Sequence, residues 1–477
     1  MKYVHAFCDD ALGDGDGVAV AAAIRSGEIS AAEALEAALG RIDKVNPHLN
    51  AIAVDDRERA RDRALDSDFP AGSFAGVPSI IKNNTLFEGL PTQSGSAAVP
   101  ARPATANEPF TDQLLSTGVN IVGASTLPAF GLTASTEFVD RDPTRNPWDS
   151  DYSSGASSGG SAALVASGAL PIAHGNDGGG SIRIPAAACG LVGLKPSRGR
   201  VIPSPTGKIL PINIICDGML TRTVRDTAHF ISDAEKYRRP ANLPLVGLVE
   251  GPGRRRLRCA VLTDTVTGVP IDDDTATAVD GAVALLTSLG HEVEKIPLPV
   301  DGTFARQFIE YWAMLAFAVD RLGKRAIRDG FDHDALDPFT LGLSRKYRRA
   351  FWRTPASLLG LRRATARVRG VFERFDVLMS PTLGHATPKI GYLDPAGDFD
   401  VIFQRLLRYV AFTPANNTSG LPAISLPMAQ TSEGLPLGIH FSADLGRERT
   451  LLELAFEIEA AQPFARIQDR ASTPQVD

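Results

Sequence analysis

The chain has 477 residues, 44% of them apolar and 22% charged, and a formal net charge of −6 at pH 7. This composition supports a sizeable buried core and excludes global disorder, and its acidic balance argues against nucleic-acid binding as the main role. Cys8, Cys189, Cys216 and Cys259 form no C-x-x-C pair, so neither a disulfide framework nor a zinc site is expected.

The opening residues, MKYVHAFCDDALGDGDG, are acidic and lack an apolar signal core. No run reaches the length of a membrane span, so a cytoplasmic protein without a membrane partner is expected. Ser30 and Glu33 have capping-box spacing and open a helical run. A second helix is expected over Asp55 to Leu65, and GVPSII (Gly76 to Ile81) reads as a short buried strand. TDQLLSTG and VNIVGAST form a helix-then-strand unit, and the Pro-, Asp- and Ser-rich stretch from Asp140 to Ser154 reads as a long loop. SAALVASG reads as helix, LPIAHG as strand, and SIRIPAAACG as a helix opening from a triple glycine.

A strand (LRCAVLTD), a helix (TATAVDGAVALLTSLG) and a strand (HEVEKIPL) follow. Ala305 to Phe375 is mostly helical, strands resume at DVLMSPT, PAISLP and PLGIHFSA, and RTLLELAFEIEAA closes the chain as a helix. Strands alternating with helices predict an α/β sandwich around a central sheet. With no internal repeat and no Gly/Ser linker, a single domain over residues 1–477 is expected. Basic and aromatic residues interleave from Arg345 to Arg353, with Arg362, Arg363, Arg367 and Arg369 beyond. On an acidic chain this reads as a solvated helical face lying over apolar surface rather than a nucleic-acid site.

Four serine-centred patterns carry chemistry. Gly155-Ala-Ser157-Ser-Gly159 has the spacing of a nucleophile elbow, but a loop rather than a strand precedes it. Ser79-Ile-Ile-Lys82 matches S-x-x-K, but in a strand the two side chains point to opposite faces. The stretch HGNDGGGSIRIP, His174 to Pro185, suits either a phosphate cradle or an oxyanion hole, because free N–H groups at a helix start attract negative charge. In the second case Ser181 is a nucleophile that needs a base. His174 lies inside the expected strand and reads as structural, and no histidine sits at metal-ligand spacing. Lys82 ends a buried strand, where desolvation favours a neutral amine, although a structural ion pair would explain it equally.

Taken together, GASSGGSAALVASGALPIAHGNDGGGSIRIPAAACGLVGLKP (Gly155 to Pro196), GVPSIIKNN and NTSGLPAISLP (Asn417 to Pro427) resemble the motifs of the amidase signature family. The resemblance spans about residues 16 to 465. It implies an α/β/α sandwich with a central mixed β-sheet, and a catalytic triad of Ser181 as nucleophile, Ser157 as cis-serine and Lys82 as base. It also implies an oxyanion hole from the backbone of Gly178, Gly179, Gly180 and Ser181, with Ser158, Asp177 and Arg183 in support. The implied activity is hydrolysis of small carboxylic acid amides, linear ones in the first place, through an acyl-enzyme with no cofactor. A homodimer would be ordinary for such a chain.

Two positions depart from the family pattern: Asn83 stands where an Asp usually follows the lysine, and Ala129 replaces an acid in STLPAFG. Pocket walls are expected from Thr126 to Phe138, around Phe308 to Tyr311, and from Phe412 to Asn417. A glutamine amidotransferase subunit working with partner chains, and a non-catalytic anion- or amide-binding protein, are the alternative readings.

Overall fold

The structure, a computed structural model, describes residues 3–66 and 68–469. Its centre is an eight-stranded sheet. In spatial order the strands are Glu292–Lys295, Arg258–Val261, Val377–Pro381, Pro436–Ser442, Ala423–Gln430, Val192–Lys195, Cys216–Thr221 and Ile172–Asp177. The first three are parallel to one another and every later pairing is antiparallel, so the sheet is mixed. Ile172–Asp177, Cys216–Thr221, Val377–Pro381 and Pro436–Ser442 are buried at every residue, which only a sheet covered on both faces allows.

The composition of the helices decides where they pack. Gly159–Ala166 (GGSAALVA) and Arg183–Cys189 (RIPAAAC) have no solvent-facing polar side, and both are buried along their whole length. They close tightly on the sheet because two strand positions are glycine. A Cβ on Gly438 would stand 2.5 Å from Ala187 Cβ, and one on Gly193 would stand 2.6 Å from Ala186 Cβ. The amphipathic helices Val224–Tyr237, Asp273–Ser288 and Glu448–Ala461 also pack on the sheet. Ser30 and Glu33 form the expected capping box at the start of Ala31–Leu49. The helices Gly302–Ala326, Pro338–Arg348 and Thr354–Gly370 fill the segment expected to be helical.

The lysine strand, Pro78–Lys82, lies outside the large sheet. It pairs with Asn120–Ser125 in a three-stranded sheet completed by Ile52–Asp55. Side chains, not a backbone ladder, join it to the edge strand Ile172–Asp177. Ser79 Oγ donates to the Ile172 carbonyl at 3.1 Å, and the Lys82 main-chain N–H donates to His174 Nδ1 at 3.2 Å. The imidazole stands where a neighbouring strand would offer a carbonyl.

Two expected boundaries are corrected. The helix placed over Asp55 to Leu65 runs over Arg57–Asp66, because Asp55 ends a strand, Ile52–Asp55. The loop placed over Asp140 to Ser154 contains a small hairpin, Arg145–Asn146 with Asp149–Ser153. Asn146 holds that hairpin: its Nδ2 donates to the Ser153 and Ala188 carbonyls and its Oδ1 accepts the N–H of Trp148. Among the described residues no helix is long and apolar enough to cross a membrane.

Candidate active site

Three separate pieces of chain meet beside one cavity of about 650 Å³, which the serines line and the lysine backs. Pro78–Lys82 is buried throughout, so Lys82 is fully enclosed at its end. Ser157 follows a cis Ala156–Ser157 peptide and leads into Gly159–Ala166, while Ser181 occupies the turn between Ile172–Asp177 and Arg183–Cys189. Ser157 and Ser181 both line the cavity, and the main-chain N–H of Ser158 donates to the Ser181 carbonyl at 3.3 Å, tying the two turns together.

The surroundings of Lys82 fix what its amine can do. Nζ lies 2.7 Å from Ser157 Oγ, 2.7 Å from Asn176 Oδ1 and 3.4 Å from the Asn176 carbonyl. Asn84 and Asn176 exchange side-chain hydrogen bonds, which holds Asn176 Oδ1 toward the amine. Both Asn176 oxygens only accept, so they take N–H bonds from Nζ. A neutral amine has two such bonds and one lone pair, and the remaining direction faces the Ser157 hydroxyl. Burial pushes the Lys82 pKa down to about 7, against the pull of Asp217 and Asp177, which favour the charged form.

Asp177 organises the glycine turn. Its Oδ1 accepts the main-chain N–H of Gly180 at 2.7 Å, and its Oδ2 accepts that of Ile182 at 3.2 Å. Arg183 grips the same carboxylate with Nε at 2.9 Å and a terminal nitrogen at 3.0 Å. Burial alone would raise the Asp177 pKa, but the Arg183 charge and the bonds from Arg183 and Asn417 hold it well below the usual carboxylate range. The expected oxyanion cradle therefore loses one member, because the Gly180 N–H is already engaged by Asp177. The N–H groups of Gly178, Gly179 and Ser181 have no protein acceptor among the described residues. Thr413 braces the turn from the other side, its hydroxyl donating to the Gly179 carbonyl at 2.6 Å.

His174 is fully buried, and its two ring nitrogens meet the Lys82 main-chain N–H and Asp217 Oδ1, the latter at 3.3 Å, rather than Ser181. No strand runs into Ser157, since Asp149–Ser153 ends before Gly155. Asn83 also has a structural reason: its Oδ1 accepts the Gln93 N–H and its Nδ2 donates to the Pro91 carbonyl, both at 2.9 Å. An aspartate could accept the first bond but not make the second. Of the expected pocket walls, Phe130 to Ala134, Phe308, Ile309, Phe412 and Pro414 to Asn416 line the cavity, whereas Tyr311, whose hydroxyl donates to the Ile212 carbonyl, does not. Gly131 passes so close that a Cβ there would lie 2.9 Å from Ser157 Oγ. Asn176 and Asp217 were not singled out from sequence, whereas Thr413 and Asn417 fall in the wall expected from Phe412 to Asn417. Among the described residues no group of three His, Cys, Asp or Glu side chains is placed to hold a metal.

The family model described as Amidase matches residues 33–452. The chain belongs to the amidase signature family. It is 47% identical to a protein named putative amidase AmiC of Mycobacterium tuberculosis, over 98% of each chain. It is 34% identical to a 6-aminohexanoate-cyclic-dimer hydrolase of a Pseudomonas species, over 96% of this chain and 97% of that one. The solved structure of a 6-aminohexanoate cyclic dimer hydrolase with substrate superimposes with a TM-score of 0.86 at 31% identity, covering 96% and 98% of the two chains. A bacterial aryl acylamidase of the amidase signature family superimposes with a TM-score of 0.83 at 26% identity, covering 94% and 96%. The large mixed sheet with its flanking helices is thus the amidase signature fold, and the chain is an amide hydrolase of that family.

Proposed function

We propose that the chain hydrolyses small, uncharged carboxylic acid amides through an acyl-enzyme on Ser181, with Ser157 as relay and neutral Lys82 as base. The contact set of Lys82 carries this reading: two acceptors from Asn176 and, in the remaining direction, the Ser157 hydroxyl at 2.7 Å. Lys82 takes the proton of Ser157, and Ser157 takes that of Ser181 as its Oγ bonds to the amide carbon. The carbonyl π electrons move to oxygen, where the N–H groups of Gly178, Gly179 and Ser181 receive the charge. The proton on Lys82 returns through Ser157 to the amide nitrogen, the C–N bond breaks and the amine leaves. Water then repeats the sequence on the ester, releasing the acid and free Ser181.

Asp177, Arg183 and Ser158 hold the turn that presents these groups. Phe304, Phe308, Trp312, Leu406 and Phe412 line a cavity of a size ordinary for a small-molecule site, which supports an apolar substituent on the substrate. The test is hydrolysis of a panel of linear and cyclic amides by the wild type and by Ser181→Ala and Lys82→Ala. Loss of turnover in both variants, with linear amides preferred, is the expected result. Full activity in Lys82→Ala would sink the mechanism, and a preference for cyclic amides would correct the substrate class alone.

A further inference from the structure

Behind the base lies a group of buried polar side chains that the reaction does not use. Asp217, from Cys216–Thr221, is 1% exposed; its Oδ1 meets His174 Nε2 at 3.3 Å and its Oδ2 has no hydrogen-bond partner. Glu108, which caps Pro109–Leu115 and borders the cavity, accepts the Leu86 N–H at 3.1 Å with Oε2 and leaves Oε1 without a partner. Phe110 closes the other face of His174, its ring centroid 5.1 Å from the imidazole.

The direction of each bond follows from chemistry. The main-chain N–H of Lys82 can only donate, so His174 Nδ1 carries no proton. The ring proton therefore sits on Nε2 and points at Asp217 Oδ1. Carboxylate, imidazole and the backbone of the base form one chain of hydrogen bonds across the gap between the two sheets. A protonated ring would lose its hold on Lys82, and burial, opposed by Asp217, keeps the His174 pKa below its ordinary value.

We propose that His174 and Asp217 are positioning residues for the base: the imidazole aims Lys82 by its main-chain N–H, Asp217 orients the imidazole, and the Asp217 charge acts through space on Nζ. This rests on the reading of Lys82 as base. The charged and titratable groups that act on the lysine are Asp217 and Asp177, both favouring its protonated form, with neutral His174 between the strands and Glu108 feeling the Asp217 charge. A merely structural pair would fix the fold and leave the titration of the base untouched.

Asp217→Asn keeps an oxygen for the imidazole and removes the charge. The kcat/KM profile of this variant is expected to shift its acid limb by at least about half a pH unit to lower pH, with the alkaline plateau within about threefold of wild type. His174→Leu removes the acceptor for the Lys82 N–H and is expected to lower kcat at least about tenfold with little change in KM. His174→Gln, whose amide oxygen can replace Nδ1, is expected to recover most of that loss. An unmoved acid limb in folded Asp217→Asn overturns the proposal, as does equal kcat in His174→Gln and His174→Leu. If Asp217→Asn does not fold, the histidine pair decides. Lys82→Ala is run alongside: full activity there refutes the base itself, whereas an inactive Lys82→Ala with an unmoved limb refutes only this proposal.

Discussion

Two buried ionisable groups on adjoining strands are treated in opposite ways. Asp177 is surrounded by donors: Arg183 twice, Asn417 Nδ2 at 2.8 Å, and the N–H groups of Gly180 and Ile182. Arg183 in turn reaches the Thr413 carbonyl, His440 Nε2 and Asn417 Oδ1 within 3.0 Å. Lys82, one strand away, has only neutral partners in contact, and the carboxylates that act on it touch it nowhere. A buried ion with a full set of partners stays ionised and fixes geometry. A buried amine with neutral partners can exist uncharged, and only such an amine can accept a proton. The first cluster shapes the turn, and the second leaves an amine free for the proposed role of base.

The sharpest way to separate them is to remove one cation from each. Lys82→Met is expected to lower kcat by at least about 10⁴-fold, in the range seen when one member of a catalytic set is deleted. Its melting temperature should be at least that of wild type, because a desolvated amine is gone. Arg183→Met should do the reverse to stability: it leaves Asp177 buried without a counter-charge, a loss of about 3–5 kcal/mol measured by denaturant unfolding. A stable Arg183→Met would break the comparison.

Asn176 is the place to make the second cluster resemble the first. Asn176→Asp would put a carboxylate against Nζ and stabilise the ammonium, so the acid limb of kcat/KM should move up by about 1–3 pH units. Activity at neutral pH should fall accordingly and recover in alkali. An unchanged limb would show that the Asn176 contact does not govern the base.

The legibility of these clusters from sequence follows how local each one is. Ser181 stood out because three contiguous glycines run into it at a helix start, and Lys82 because it ends an apolar run, whereas Ser157 entered only through the family resemblance. His174 was correctly placed in its strand. Asn176 stood in plain view beside Asp177, yet its partner Lys82 is remote in the chain and belongs to another sheet. Asp217 lies in a strand that the periodicity did not mark at all, since Cys216–Thr221 is buried on both faces and shows no alternation. The separate three-stranded sheet was illegible for a related reason: its strands are short, and only non-local pairing decides which sheet they join. The engagement of the Gly180 N–H by Asp177 is likewise a matter of one side-chain rotamer, which no spacing encodes.

The most gradual effect is in wild-type titration. Lys82 loses its proton at about pH 7 in the folded protein and near its ordinary value of about 10.5 when unfolded. Between those values the unfolded chain binds more protons, so stability should rise with pH across that window, at most by about 1.4 kcal/mol per pH unit. Glu108 and Asp226 are both raised to about 7, chiefly by burial. They act with the opposite sign, and below that window, because a carboxyl with a raised pKa loses stability as pH climbs from about 4 to 7. Subtracting the stability of Lys82→Met from that of wild type, pH by pH, isolates the lysine. The difference should be flat below about pH 7 and then rise. Over the same approach to pH 7, kcat/KM should increase about tenfold per unit from the acid side. A difference curve without slope, beside a rate profile that still bends near pH 7, would assign the kinetic limb to another group.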